Sequence, residues 1–560
     1  MNRNKLYPWY FASGAAILFF LLCFLPGLLG IAYSFTDWNN FSDEINFVGL
    51  TNYKKIFQGN SEYLKYIGNT VMFTVVTTVM KTVVGLALAL LLTQKFIKCK
   101  NFQRMIIFSP QVMSYLVVGL VFRSMLHPTT GFLNNFLRGI GLDGLAKNWL
   151  TDLSLVFPTV MTVDTWKGMG YIMVVVIAGL MSISPEYYEA ASIDGANFFQ
   201  KLRNITLPLL KPVLVNVTVL NVTYGLRVFD MIYSLTNGGP GNATGVINTA
   251  VYKEFSKGDL AMGTTLSSVL FFFVLALLYF IIKSMMGRTG RTIGRLAGNL
   301  ISIVISLIVI IPLVVLFLNS FKTSAEANRM TLSLPTKWVF ENYATVIEQG
   351  KLVSSFFNGL LYAAGSVIIV VGLVAAAAFV ISRNQKGVNR FLYYFIISGI
   401  AMPINNVALM KVMQAFHLVN TRIGIILLYA AINIPLSLFL AYGFVATIPR
   451  EIDEAAVIDG CKPWQLFLKV IAPLLKPIVS TLFVLDFMAV WNDFTMPLYY
   501  LNNSRKWPMT LAVYNFFGAF QNSWNLVAAD IMLTLAPVLL VFILGQKYIV
   551  GGVSAGSVKG

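Results

Sequence analysis

Apolar residues in this chain come in long runs that recur through both halves. The first six lie near Tyr10–Tyr33, Val71–Leu92, Met105–Leu126, Leu155–Met181, Leu209–Leu235 and Leu266–Ile282. A second six lie near Leu300–Phe317, Leu360–Ile381, Phe391–Met413, Ile423–Ala446, Leu474–Leu498 and Leu526–Phe542. About 20 apolar residues cross a bilayer as a helix, and lipid leaves backbone polar groups no outside partner, so helices are the spanning form. The pattern predicts an all-α polytopic membrane protein with about twelve transmembrane helices. Tyr10–Tyr33 is long for a signal-peptide core and shows no small-residue cleavage site, so it reads as a span.

Composition agrees. Of 560 residues, 57% are hydrophobic and only 11% charged, against about 25% charged in soluble domains. The formal charge of +18 comes from 41 Lys+Arg and 23 Asp+Glu. In such a chain the excess marks cytoplasmic loops rather than a nucleic-acid surface. Arg3 and Lys5 precede the first run; Lys95, Lys98, Lys100 and Arg104 follow the second; Lys283, Arg288, Arg291 and Arg295 follow the sixth; Arg383, Lys386 and Arg390 follow the eighth. Loops between carry mixed signs (Asp43, Glu44, Lys54, Lys55). This alternation puts both termini in the cytoplasm. Cys23, Cys99 and Cys461 are scattered and His127 and His417 stand alone, which gives no metal-ligand spacing; no cofactor is expected.

The halves repeat. Glu186–Pro212 reads EYYEAASIDGANFFQKLRNITLPLLKP and Glu451–Pro477 reads EIDEAAVIDGCKPWQLFLKVIAPLLKP, about half identical and without gaps at an offset of 265 residues (454 minus 189). Two six-helix halves of the same orientation follow, related by an axis along the membrane normal. The boundaries read 1–286 for the first half (repeated loop 184–212), 287–296 for a basic cytoplasmic linker, and 297–560 for the second half (repeated loop 449–477).

Each repeated loop follows the fourth span of its half on the cytoplasmic side. Pro185 and Pro449 suit the first turn of a short helix. Glu186 and Glu189, or Glu451 and Glu454, place negative charge at its positive end. Ala190 and Ala191, or Ala455 and Ala456, let another surface approach the backbone. Asp194-Gly195 and Asp459-Gly460 provide a turn in which glycine adopts positive φ. A second helix then runs to Pro208 or Pro473 and into the next span. The product is a small helix–turn–helix projecting from the bilayer, built to dock; an amphipathic helix lying on the lipid is the simpler alternative.

EAA, three residues, Gly, nine residues and an I-x-L-P-like ending resembles the coupling motif of bacterial ABC importer permeases. Glu189, Ala190, Ala191, Gly195, Ile205, Leu207 and Pro208 carry it in the first copy; in the second, Val470 and Ala472 depart from the pattern while Pro473 is kept. DMIYSLTNGGPGNAT (Asp230–Thr244) is similar to the outer loop of the first permease subunit of maltose-type carbohydrate importers. Trp491-Asn492-Asp493 and the C-terminal AGSVKG resemble the second subunit. The resemblance implies a type I importer transmembrane domain in the bacterial inner membrane, with two usually separate subunits fused. It also implies two cytoplasmic ABC ATPase subunits, an extracytoplasmic solute-binding protein and a sugar substrate. No G-x-x-x-x-G-K-[ST] phosphate loop occurs in the chain, so ATP hydrolysis falls to the partners.

The substrate path is expected between the halves near mid-membrane, where polar groups are costly unless useful. The candidates are Gln111, Tyr115, Asp164, Trp166, Lys167, Gly168, Asn221, Tyr224, Gly225, Arg227 and Asp230, the last five placed in the fifth span. The resemblance assigns sugar contacts to this region, VDTWKG (Val163–Gly168) and Asn221–Gly225 in particular. Rings stack on the apolar faces of sugars while amides and carboxylates take their hydroxyls; pairing of Asp164 and Lys167 with helix neighbours is the plainer reading. Lys81, Asp486 and Asp530 read as interhelical pairs or span-end charges. Pro110 and Pro403 predict helix breaks in the third span of each half. A secondary ion-coupled sugar transporter with two six-helix halves is the rival, but it has no use for the repeated loops. A membrane enzyme lacks clustered catalytic groups here.

Overall fold

The computed structural model describes residues 6–59, 61–94, 99–285, 298–385, 387–400, 402–516 and 523–557, with the backbone alone at 199, 277–285, 298–308 and 546–557. Arg3, Lys5, Lys95, Lys98, Arg288, Arg291, Arg295, Lys386, the 287–296 linker and the last three residues lie outside the described residues.

The main helices run in chain order: α1 (Ser13–Tyr33), α2 (Glu62–Leu92), α3 (Lys100–Val112), α4 (Tyr115–Met125), α5 (Val156–Met181), α6 (Pro185–Ile193), α7 (Leu207–Leu226), α8 (Leu260–Met285), α9 (Gly298–Ser320), α10 (Leu352–Arg383), α11 (Val388–Ile397), α12 (Asn406–Ala415), α13 (Arg422–Val445), α14 (Glu451–Ile458), α15 (Lys476–Asn492) and α16 (Trp524–Ser557). All twelve expected spans fall on helix. Among the described residues seven helices are long and apolar enough to cross a bilayer, and two bent pairs bring the number to nine. Leu260–Ala276 and Val309–Ser320 are shorter apolar helices, and the third span of the second half is split between α11 and α12.

The predicted breaks are present and capped. The chain bends by 98° between α3 and α4, just after Pro110, and the Ser114 hydroxyl accepts the Val117 N–H at 3.2 Å. In the second half the break contains Pro403, and the Asn405 side chain accepts the Ala408 N–H at 3.0 Å. Such caps matter inside a bilayer, where an orphan N–H finds no water.

Two expectations are corrected. The fifth span stops at Leu226 and a separate helix begins at Asp230, so Asp230 is not part of it. Pro449 lies before Arg450, the cap of α14, and not in the helix's first turn.

Each half lends its first span to the other. Phe11, Ala15 and Phe19, at the start of the chain, share a buried apolar cluster with Val370, Phe379 and Ile434 of α10 and α13. In return α9, which opens the second half, packs on α3 of the first. Small residues permit the closest approaches: a Cβ on Gly170 would sit 2.1 Å from the Ile107 carbonyl oxygen, so α5 and α3 meet backbone to backbone.

Candidate functional site

Both repeated segments fold as helix, sharp turn and second helix. In the first copy Pro185 occupies the first position of α6 behind the cap Ser184. α6 ends on Asp194, Gly195 follows at φ +72°, and the N–H groups of Gly195 and Ala196 return to the carbonyls of Ser192 and Ala191 at 3.2 and 2.9 Å. In the second copy α14 ends on Asp459, Gly460 has φ +80°, and the N–H groups of Gly460 and Cys461 return to Val457 and Ala456, both at 3.0 Å. This closure of a helix needs a left-handed residue, which a side chain penalises by about 1–2 kcal/mol. Nothing lies within 4 Å of a Cβ at either glycine, so the constraint is torsional and not steric.

The second helices begin alike. The side-chain oxygens of Gln200 and Gln465 accept the N–H groups of Asn197 and Lys462 at 2.7 and 2.9 Å. Both helices widen into a π turn, Leu202–Thr206 and Leu466–Ile471, next to Pro208 and Pro473. A proline cannot donate to the carbonyl four residues back, and the wider turn re-pairs the ladder around it. Glu186, Glu189, Ala190 and Asp194 are exposed, as are Glu451, Glu454, Ala455 and Asp459. Ala191 is half-buried and Ala456 buried. Neighbouring residues point about 100° apart on a helix, so only the first alanine of each pair faces outward, which corrects the expectation for the second.

Of the substrate-path residues, the structure gathers five with Lys81 into one cluster inside the first half. Lys81 Nζ is 2.5 Å from Asp164 Oδ2, and the Tyr224 hydroxyl donates to Asp164 Oδ1 at 2.8 Å. The rings of Tyr224 and Tyr115 stack at 5.4 Å, Lys81 sits 4.4 Å over the first and Lys167 3.8 Å over the second. Lys167 also donates to the Gln111 carbonyl at 3.5 Å. Two stacked phenols are thus held between two ammonium groups, each cation–π contact worth up to about 2 kcal/mol where water is excluded. Gly168 leaves room for Lys81, whose Cε lies 2.8 Å from where a Cβ would stand, and Gly225 lets α7 close on Thr74. Asp164 is fully buried and engaged on both oxygens, so the plainer reading holds for it: it pairs with helix neighbours.

Trp166 and Asn221 stand apart from this cluster. Trp166 packs edge-on against Phe122 at 5.0 Å, and its indole N–H is buried without a hydrogen-bond partner among the described residues. Asn221 Nδ2 is in the same condition. Arg227 and Asp230 instead cross to the second half: Arg227 Nη2 donates to the Ile400 carbonyl at 2.9 Å, and the Thr495 hydroxyl donates to Asp230 Oδ1. Rings seal the same seam, with Phe229 6.3 Å and Tyr252 5.4 Å from Tyr499, and Tyr233 6.2 Å from Phe494.

Of the second-half members of this polar core, Asp493 is legible in the sequence only within Trp491-Asn492-Asp493, and Tyr429 and Thr495 are not. The Tyr429 hydroxyl donates to Asp493 Oδ2 at 2.8 Å, an oxygen that also accepts the Met496 N–H at 3.0 Å. Tyr429 stands 265 residues after Asp164, and Thr495 the same distance after Asp230. The repeat offset, carried past the loops, would have found both. Asp486 takes the Ser437 hydroxyl at 3.1 and 2.9 Å and Asp530 that of Thr534 at 3.2 Å; among the described residues neither is in an ion pair.

The model of the family described as binding-protein-dependent transport system inner membrane component matches twice, over residues 72–291 and 368–553. Probable ABC transporter permease protein YurN of Bacillus subtilis (strain 168) is 35% identical over 279 residues, 50% of this chain and 95% of its own. Diacetylchitobiose uptake system permease protein NgcG of Streptomyces coelicolor is 33% identical over 254 residues, 45% of this chain and 84% of its own. Trehalose/maltose transport system permease protein MalF of Thermococcus litoralis is 35% identical over 251 residues, 45% and 83%. Each relative spans about half of this polypeptide, which carries the fold twice: the chain belongs to the binding-protein-dependent transport system inner membrane component family, as two permease halves fused in tandem.

Proposed function

We propose that this chain supplies both permease halves of an ATP-driven importer of a sugar or short oligosaccharide. Two cytoplasmic ATPase subunits seat the repeated helix pairs, one each, and their closure on ATP rocks the halves about the seam. A solute-binding protein delivers the sugar at the opposite face, and both termini lie in the cytoplasm. The relatives NgcG and MalF are named for diacetylchitobiose uptake and trehalose/maltose transport.

The observation that carries the reading is the duplicated helix–glycine–helix, exposed on its acidic face in both copies at equivalent places. Glu189 and Glu454 project there, both exposed, and basic groups in an ATPase cleft would pair with them. Further in, the unpaired donors Trp166 Nε1 and Asn221 Nδ2 suit sugar hydroxyls, since an orphan buried donor costs about 1–3 kcal/mol until something pairs with it. Tyr115, Tyr224 and Gln111 keep part of their surface exposed, although the two rings are covered by each other and by Lys81 and Lys167. Asp230, Thr495 and the rings around Tyr499 shut the outer end of this path, and they must part for a solute to enter.

The test is purification of the full chain with co-expressed ATPase subunits, followed by ATP hydrolysis and uptake in vesicles for Glu189→Lys, Glu454→Lys and the pair. Loss of at least about tenfold in the double variant, from placing like charges in a docking contact worth 1.4 kcal/mol or more, supports the reading. Full hydrolysis and uptake with both glutamates reversed would remove the docking role.

A further inference from the structure

The two coupling loops are built alike but anchored differently. No residue of α6 is buried, whereas α14 buries Asp453 and Ala456. Asp453 is one of three acids in the first turn of α14, and while Glu451 and Glu454 face outward, Asp453 faces in with no exposed surface. Arg383, the last residue of α10, pairs with it: Nη2 donates to Oδ1 at 3.2 Å, and Nε lies 2.9 Å from Oδ2 as a charge contact without hydrogen-bond geometry. Arg383 Nη1 donates to the Ile448 carbonyl at 2.9 Å, just ahead of the loop. The third ligand of the carboxylate comes from the other half, because the Tyr7 hydroxyl donates to Asp453 Oδ2 at 3.0 Å.

Rings surround this junction. Tyr7 stands 5.5 Å from Phe379 of α10, Phe11 4.0 Å from Trp464 and Phe379 5.7 Å from Phe467, the last two partners belonging to the second helix of the loop. At the position of Asp453 the first loop has Tyr188, 265 residues earlier, and its hydroxyl pairs at 3.0 Å with Thr206 of the same loop. The first loop is therefore tied to itself, and the second to α10 and to the start of the chain.

We infer that Arg383 is a positioning residue that, through Asp453 and Tyr7, clamps the second coupling loop to both halves, so that a push on this loop moves α10 and the N-terminal segment as one body. The inference rests on the coupling role proposed above. A guanidinium–carboxylate ion pair shielded from water and reinforced by a hydrogen bond resists separation, and stripping it of one partner leaves a buried charge uncompensated. Among the described residues the first loop has no ion pair of this kind.

The experiment uses the full chain with its ATPase subunits, spin-labelled at Trp9→Cys and Ile458→Cys, which are both exposed. The width of the label–label distance distribution is read without nucleotide and with ATP, alongside the hydrolysis rate. The expectation is an equally narrow distribution in both states. Arg383→Gln should broaden it and lower ATP hydrolysis by about fivefold, within the range that coupling residues give. Arg383→Lys, which keeps the charge but loses the guanidinium, should fall between. Tyr7→Phe removes one hydroxyl and no ring, and it should broaden the distribution if Arg383→Gln fails to assemble. An unchanged distribution in Arg383→Gln, or in Tyr7→Phe should that be the variant measured, overturns the clamp. Glu454→Lys separates the two ideas: if it impairs hydrolysis while the Arg383 variants do not, the clamp alone fails, and if it has no effect, the docking role fails with it.

Discussion

Asp230 and Thr495 hydrogen-bond to one another across the two halves, and they are the same position of the repeat, 265 residues apart. A residue can touch its own equivalent only at the axis that relates the copies, so this contact marks where the pseudo-twofold passes. Phe229 and Phe494, the residues before them, line the same seam.

In the proposed transport cycle this contact must part for a solute to enter. Replacing Thr495 by Val leaves Asp230 without its hydroxyl donor in a buried site, a change of about 1–3 kcal/mol against the closed seam. Basal ATP hydrolysis of the reconstituted complex without binding protein should rise at least about fivefold in Thr495→Val, by that free energy. An unaltered basal rate would show that the seam does not govern the cycle.

Lys81 and Asp164 are both buried, at 2% and 0% exposure. Lys81→Met alone strands a carboxylate in the first half, and removing one partner of a buried pair costs about 3–5 kcal/mol. Lys81→Met with Asp164→Asn removes both charges and should regain most of that loss. Thermal unfolding of the purified chain reads both; equal losses in single and double variants would contradict the pairing.

Gly195 and Gly460 have open space around them and positive φ. Gly195→Ala and Gly460→Ala should each cost about 1 kcal/mol through torsion, and Asn, which tolerates the left-handed region, should cost less. The order Gly, Asn, Ala in thermal stability and in ATPase binding is the outcome to check. Val in place of Ala should do worse still, because its β-branch disfavours positive φ further.

Asn134 staples the segment between α4 and α5. Its amide donates to the carbonyls of Pro128 and Lys147 at 2.9 and 2.8 Å, and its oxygen accepts the Trp149 indole N–H at 2.8 Å. Asn134→Ala removes all three bonds, each worth about 1 kcal/mol. Limited proteolysis of right-side-out or inverted vesicles should then cut within 136–153 at least about tenfold faster, as local opening free energy falls.

What the chain's own pattern determined is local or repetitive. Twelve apolar runs became helices because lipid permits nothing else, Pro110 and Pro403 broke the third spans, and EAA…G closed into the same turn twice because Gly195 and Gly460 adopt that left-handed backbone without torsional cost. The span that was to include Asp230 ended early, at Leu226, since hydropathy cannot see where a helix caps. Which charges would meet was decided only in three dimensions. Asp164 found Lys81 from 83 residues away, and Asp453 found Arg383 and Tyr7 from 70 and 446 away. Burial makes an unpaired charge so costly that the packed helices select its partner, and helix packing is a property of the whole bundle that no single run of residues contains.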